Sequence, residues 1–404
     1  MYRMTSSLRI APLAETLAKA QAMAERLGIV RVTDTTWLDC VGVPVFAGIR
    51  PDSQTLCVNA GKGVHREEAR VGAYMEAIEF ARAEPRNNDV EVVVSTPREV
   101  QAQATARFEF VQLCPVLGRS VAPEEPIACV RAHDIDTGEP VLVPAELVFN
   151  PMPPDGGQAV FGTGSNGLCS GNSVAEATVH GLFELLERDV RSFNYVRDDS
   201  RLVDLGSCGP DLRQLVDRFA ASGLEAVLRY TPGEFGFPYF DGFVLEPSDD
   251  APITIAHGAG LHLITEIAAV RALAEAAQSR LSFIHGGRDD LVNRHRYFAQ
   301  QEPGVERETV AAARTRLLDP TGMVRYSDIV SPPVAAAGPA EVIAEITAAL
   351  RGRGLSQALR VVLSLPDDPL AVVRVIVPGL EVFRPVLRRV GPRLARFAET
   401  RGDR

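Results

Sequence analysis

The sequence predicts an α+β fold in which mixed or antiparallel β-sheets are packed with helices. Three observations carry that expectation. Residues 90–160 hold short β-branched runs bounded by prolines. Residues 199–262 alternate helix-like and strand-like segments. Three long segments have the apolar background of buried helices yet carry acids.

Taken in order, residues 12–28 form an amphipathic helix that stops at Gly28. Strands follow over 29–39, 41–51 and 54–60, the last ending at Gly61-Lys62-Gly63. That tripeptide lacks the G-x-x-x-x-G-K-[ST] spacing of a phosphate loop. The next helix covers 65–84; Glu67 and Glu68 near its start favour the helix dipole. Residues 91–97, 126–135 and 140–149 read as strands. A polar, glycine-rich loop from Gly162 then enters a long helix at Ser173, with Glu176 completing an S-x-x-E capping box. Helix 211–223 precedes strands 225–231, 239–246 and 252–260, and a third apolar helix spans Thr265–His285. Residues 286–338 read as polar loops with one short helix. A helix over 339–353 and strands over 358–366 and 371–379 lead to a basic tail. With no repeat and no long linker, the chain reads as one domain over 8–395 with a tail over 396–404.

Composition narrows the class. The 404 residues are 46% hydrophobic and 23% charged, enough for a sizeable core. A net charge of −10 disfavours nucleic acid or an anionic membrane as partner. No run has the length of a membrane-spanning helix, and the N-terminus lacks a signal-peptide core, so a cytoplasmic location is expected. The six cysteines show no C-x-x-C spacing, which points to reduced thiols rather than a zinc site.

The acids of the three apolar helices carry the chemistry. Glu76 and Glu79 share a face among Tyr74, Met75, Ile78 and Phe80. Glu176 and Glu187 lie about 20° apart in projection and Glu184 about 80° from Glu176. On the third helix Arg271, Glu275 and Gln278 share a face. Buried carboxylates cost several kcal/mol each unless paired. Carboxylate oxygens without a Cys/His set suit a hard divalent cation, and Mg²⁺ usually arrives with phosphates. Arg9, Arg271 and Lys62 would meet those phosphates. The residues alone thus point to a Mg²⁺–nucleotide site and leave the reaction open.

The stretches SNGLCSGNSVAEATVHGLFELLERD, GKGVHREEARVGAYMEAIE and RALAEAAQSR, in that setting, resemble the motifs of YcaO-domain proteins. Both ends of the chain, RIAPLAETLAKAQAMAERLGIVRV and VVRVIVPGLE, are similar to that family as well. The resemblance implies the YcaO fold and an ATP–Mg²⁺ site without a Walker loop. It implies metal contacts from Glu79, Glu176, Glu184, Glu187 and Glu275. It implies nucleotide contacts from Arg9, Thr16, Glu76, Asn172, Arg188 and Arg271. One departure is Gly72, where the family has serine, which removes a hydroxyl near the nucleotide. The implied activity is O-phosphorylation of a peptide backbone amide, giving an azoline when a side chain attacks and a thioamide when sulfide does. Azoline-forming members resemble one another in a P-x-P-x-P terminus, which GPRLARFAETRGDR lacks. The GKG…GA-x-MEAIE wording looks more like members that make thioamides with a TfuA-like partner. A partner that delivers peptide or sulfur, and a homodimer, are further implications of the resemblance. A non-catalytic peptide-binding scaffold would have lost the acids, and an accessory role in ribosomal-protein methylthiolation stays open.

Overall fold

The computed structural model describes residues 1–153, 157, 159–248, 251, 253–287, 293–332 and 338–400. Pro252, at the start of one expected strand, residues within the expected polar loops (288–292 and 333–337) and residues 401–404 of the tail lie outside them.

The chain opens with a small hairpin, β1 (Tyr2–Arg3) and β2 (Leu8–Arg9), and α1 (Leu13–Arg26). Strands β3 (Arg31–Asp34), β4 (Val45–Ile49) and β5 (Val58–Lys62) form an antiparallel three-stranded sheet, followed by α2 (Arg66–Ala83). Next come β6 (Val92–Ser95), α3 (Pro97–Ala102), β7 (Ile127–Asp134), β8 (Pro140–Pro144), β9 (Leu168–Gly171) and α4 (Val174–Val196). The second half contains β10 (Arg201–Asp204), α5 (Pro210–Ala221), β11 (Glu225–Pro232), β12 (Pro238–Leu245), β13 (Ile255–Leu261) and α6 (Thr265–His285). It ends with α7 (Asn293–Phe298), α8 (Val305–Leu317), β14 (Val324–Arg325), α9 (Pro339–Gly352), β15 (Leu359–Val362), β16 (Ala371–Ile376) and α10 (Pro392–Glu399).

A six-stranded sheet runs β6-β7-β15-β16-β9 with β8 on β7, and a five-stranded sheet runs β13-β12-β11-β10-β14. Among the described strands only β10–β14 pair in parallel. The α+β expectation therefore holds. Some boundaries move. The strand expected over 29–39 stops at Asp34, where the Asp34 carboxylate accepts the Thr36 N–H (2.9 Å) and turns the chain. Among the described residues of 286–338 there are two α-helices, where one was expected. The position 396 expected to begin the tail lies inside α10. Glu381, fully buried, accepts the N–H groups of Gly391, Arg393 and Leu394 at 2.7, 3.0 and 2.9 Å, and Arg393 pairs with Asp189 of α4 at 2.6 Å. This helix start is thus fastened to the longest helix.

Glycines let two of the three acidic helices lie directly on strands. Gly61 of β5 faces Ala69 and Ala73 of α2; Gly258 and Gly260 of β13 face Ala268, Ala272 and Ala276 of α6. In each case a Cβ would overlap helix backbone. Strand glycines mark such close approaches. Gly61 and Lys62, expected to follow a strand, are part of β5 for this reason.

The end of α2 is fixed by a buried ion pair. Glu84 and Arg50 are 0% and 1% exposed. Arg50 Nη1 donates to Glu84 at 3.1 Å, and Gln54 N–H donates at 2.8 Å. Burial pushes the Glu84 carboxyl up, but the bonds from Arg50 and Gln54 prevail and hold it below its usual range. The group therefore stabilises the fold above the unfolded value of about 4.3, and that contribution is lost as pH falls through the lower folded value. Glu84→Gln should cost about 3–5 kcal/mol at pH 7 by stranding Arg50, with the gap to the native protein narrowing in acid. Thermal melts of both proteins at pH 7 and pH 3 check it; a gap unchanged with pH would refute the charge as its source.

Candidate functional site

Helices α2, α4 and α6, with β5 and the segment after β1, enclose a cavity of about 660 Å³. Arg9, Thr16, Glu76, Glu79, Glu184, Glu187, Arg188, Arg271 and Glu275 line it. Nine of the eleven residues that the resemblance implied thus line one cavity, seven of them from the three helices, with Arg9 from β2 and Thr16 from α1.

Glu176 and Asn172 are the two it does not bring into the lining. Angular coincidence with Glu187 misses the rise along the helix: eleven residues separate the two by about 16 Å. Glu176, 2% exposed, accepts Ile10 N–H (2.9 Å), Asn172 N–H (3.2 Å) and Arg9 Nη1 (3.2 Å). Only half of the expected capping box forms. Ser173 Oγ accepts the Glu176 N–H (3.1 Å), while the carboxylate turns to Arg9 and the N-terminal segment. Thr16 Oγ1 lies 3.1 Å from Asn172 Oδ1. Glu176 and Asn172 therefore place Arg9 and Thr16 at the cavity.

The other acids differ in how they are balanced. Glu79 accepts Ser170 N–H and Oγ–H at 2.8 and 2.6 Å. Burial, reinforced by Glu76 and Glu184, pushes its carboxyl up to about 8 against those bonds. Glu187 is 3% exposed and is raised by burial, Arg188 at 3.8 Å compensating only in part. Glu184 meets Arg188 at 3.5 Å and Cys169 Sγ at 3.6 Å. That thiol is pushed well up by burial and by Glu184, which leaves it protonated and a poor nucleophile. Glu275 is the exception. Lys62 Nζ at 2.8 Å and Arg188 outweigh its burial and hold it at about 2. Although Arg271 shares its helix face, Glu275 pairs with Lys62. Arg271 Nε and Arg188 Nε are buried without a hydrogen-bond partner. Gly72 lines the cavity, and a Cβ there would stand 3.4 Å from Gly61 Cα, so the wall beside it is bare glycine.

Three participants escaped the sequence reading. Arg191, one turn beyond Arg188, lines the cavity, as does His257 of β13. His257 Nε2 is 2.7 Å from Asp241 Oδ1, and Arg191 Nη2 is 3.1 Å from His257 Nδ1. The signal for Arg191 was available as spacing, seven residues from Glu184 and three from Arg188. That for His257 and Asp241 was not, because cross-strand register pairs Asp241 with Ala259 and Phe243 with His257 only after folding.

Among the described residues no three His, Cys, Asp or Glu side chains already form a metal-holding cluster. The donor chemistry nevertheless fits a hard dication. Glu79 and Glu187 are carboxyls raised by burial beside further acids, and a divalent charge would compensate them as carboxylates. Unpartnered guanidinium N–H groups on Arg188 and Arg271 fit phosphate oxygens. No helix in the described residues is long and apolar enough to cross a membrane.

Residues 60–381 match the family model described as YcaO cyclodehydratase, ATP- and Mg²⁺-binding. An uncharacterized protein of Methanothermobacter thermautotrophicus is 33% identical over 407 aligned positions, covering 94% of this chain and 97% of that one. A protein of Rhizobium leguminosarum bv. trifolii, described as lying in the tfuA 3′ region, is 33% identical, covering 91% of this chain and 87% of its own. The structure of YcaO from Methanopyrus kandleri, bound with AMPPCP and Mg²⁺, superposes with a TM-score of 0.73 at 25% identity, covering 96% of each chain. A heterocyclase in complex with substrate and cofactor shares the fold at a TM-score of 0.75 and 19% identity, covering 92% of this chain and 53% of that one.

Proposed function

The chain belongs to the YcaO family, and from that premise we propose that it activates a peptide backbone amide by O-phosphorylation and forms a thioamide, with a TfuA-like partner supplying sulfur or substrate. The observation that carries the activation chemistry is the meeting of raised, buried carboxyls with the unpartnered Nε–H groups of Arg188 and Arg271. Glu79, Glu184, Glu187 and Glu275 would hold Mg²⁺, and Arg9, Thr16, Glu76, Arg188 and Arg271 would hold ATP, with Asn172 and Glu176 setting Thr16 and Arg9. Bound together, Mg²⁺ and ATP supply the phosphoryl group that makes the amide oxygen a leaving group. The residues themselves position and neutralise. Arg188 and Arg271 would offer the phosphates fixed, charged donors, so that charge shifted in the transition state would meet groups already in place. Lys62, held by Glu275, adds a further cation at the phosphate side.

The reaction balances as amide plus hydrosulfide plus ATP giving thioamide, ADP and hydrogen phosphate. Sulfur bonds to the carbonyl carbon, the carbonyl oxygen leaves on phosphorus, and the hydrosulfide proton ends on that phosphate. One feature favours sulfide over a side-chain nucleophile: the relative in the tfuA 3′ region. The second reading, azoline formation, is favoured by the cyclodehydratase description of the matched family. Mass spectrometry of a modified peptide, with and without a TfuA-like protein, separates them. Exchange of oxygen for sulfur adds mass; loss of water without sulfur gain would overturn the thioamide reading.

A further inference from the structure

Three strands border the cavity, β5, β9 and β13, and each ends its sheet. An end strand turns the N–H and C=O of every second residue away from its neighbour, and buried groups of that kind need partners. On β5 the Ala60 carbonyl accepts Gln278 Nε2–H from α6 at 3.0 Å. On β9 the Ser170 N–H donates to Glu79 of α2 at 2.8 Å. β13 differs. Its register with β12 is unbroken from Ile255–Leu245 to Leu261–Tyr239. Bonds just beyond its two ends, Glu246 N–H to the Thr254 carbonyl at 3.0 Å and His262 N–H to the Pro238 carbonyl at 3.4 Å, set the phase. Ala256, Gly258 and Gly260 therefore bond to β12, and Ile255, His257, Ala259 and Leu261 turn their backbone groups outward. Ala259 and Leu261, 0% and 2% exposed, are covered in a core cluster with Phe183 and Leu186 of α4. Ile255 and His257 are half-buried and line the cavity, and no described residue bonds to their outward N–H and C=O groups. The His257 side chain, tied to Asp241 and Arg191, holds this stretch in place.

We infer that this open edge is the docking strand for the peptide substrate: an extended segment adds to β13 beside Ile255 and His257 and so enters the acid cavity as one further strand. The inference rests on the reading that the substrate is a peptide backbone amide. Main-chain pairing supplies affinity without demanding a particular side chain, and the added strand lies about 4.8 Å from β13. Its pairing uses the groups of every second residue, so the intervening amides point away from β13 and stay free to react. The occupant is a lone extended chain and not a second copy of this protein. The two open positions lie in the cavity wall with covered positions beyond them, whereas the sheet edge of a folded partner needs a longer, outward-facing row.

The test selects binders from a pool of randomised, N-acetylated, C-amidated nonapeptides on the full chain loaded with Mg²⁺–AMPPCP. Hydrogen–deuterium exchange should slow at the Ile255 and His257 amides when a selected peptide is bound. Ile255→Pro removes one outward N–H and leaves the β12 ladder whole. It should weaken peptide binding about tenfold, while Mg²⁺–AMPPCP affinity stays within about twofold. Ile255→Val, which keeps that N–H, should bind peptide like the native chain. N-methylation of the peptide at every second residue should abolish binding in one phase and be tolerated in the other, a readout that needs no variant to fold. No peptide retained at millimolar concentration, binding indifferent to the N-methyl phase, or full binding by a folded Ile255→Pro chain would overturn the inference. So would slowed exchange that follows protein concentration instead of peptide, which marks pairing between two copies. Peptides modified by the enzyme without protecting β13 would overturn edge docking and leave the amide-activation reading standing. Edge-bound peptides that never raise ATP turnover would count against that reading and leave the docking strand in place.

Discussion

Glu79→Gln and Glu187→Gln should each abolish ATP turnover, by two orders of magnitude or more, while leaving the fold intact and making the metal-free protein more heat-stable above neutral pH. The two effects have one cause. Glu79 is raised to about 8 by burial and by the charges of Glu76 and Glu184. A carboxyl raised on folding holds its proton more tightly folded than unfolded. It therefore carries no penalty below the unfolded value of about 4.3, and the penalty grows as pH climbs toward 8. Glutamine keeps the shape and removes that pH-dependent loss. It also removes one of the anionic oxygens proposed to face the metal. Thermal melts from pH 5 to pH 9 without metal, beside ATP hydrolysis with Mg²⁺, read both effects on one sample. A variant that loses activity and also loses stability at high pH would show Glu79 to be structural. Full turnover in either variant would remove it from the metal site.

The three acidic helices were legible because acid on an apolar helix is a contradiction that sequence alone displays. Glu79, Glu184, Glu187 and Glu275 needed no partner to be noticed. Glu176 was grouped with them by angle, and the structure places it with Arg9 and Ile10 instead. Angle around a helix is a local property; distance along it to another segment is not. The sheet pattern was likewise legible in β-branched runs, whereas the hairpin of β1 and β2 is two residues per strand and leaves no periodicity to read. Arg191 was visible as spacing but not as a partner of His257, because that contact joins residues 66 positions apart across a helix and a strand. The Gly61-Lys62-Gly63 tripeptide looked like a loop because glycine is the usual turn signal. In the structure its first glycine serves packing, and Lys62 reaches Glu275 from a strand.

Gly260→Ala should unfold the site half of the molecule, or at least destabilise it by more than about 3 kcal/mol, although the change adds a single methyl. Gly242, Gly258 and Gly260 form a bare stripe on β12 and β13, and α6 lies on it through Ala268, Ala272 and Ala276. At Gly242 an added Cβ would stand 2.6 Å from the Ala272 carbonyl carbon; at Gly258 and Gly260 it would overlap backbone outright. Rotamer changes relieve a side-chain clash, but here only movement of the whole helix would do so. Arg271 and Glu275 leave the same helix on its cavity side, so a helix lifted by even about 1 Å would part Glu275 from Lys62 and withdraw Arg271 from the phosphate side. Gly223→Ala is the control. It sits at a turn with nothing within 4 Å of an added Cβ and a positive φ of 73°, so it should cost about 1 kcal/mol through backbone strain alone. Chemical denaturation of the three proteins, with Mg²⁺–AMPPCP binding measured on whatever stays folded, checks the order. A Gly260→Ala protein as stable as the control, binding nucleotide normally, would mean that α6 is not held against the sheet by this contact.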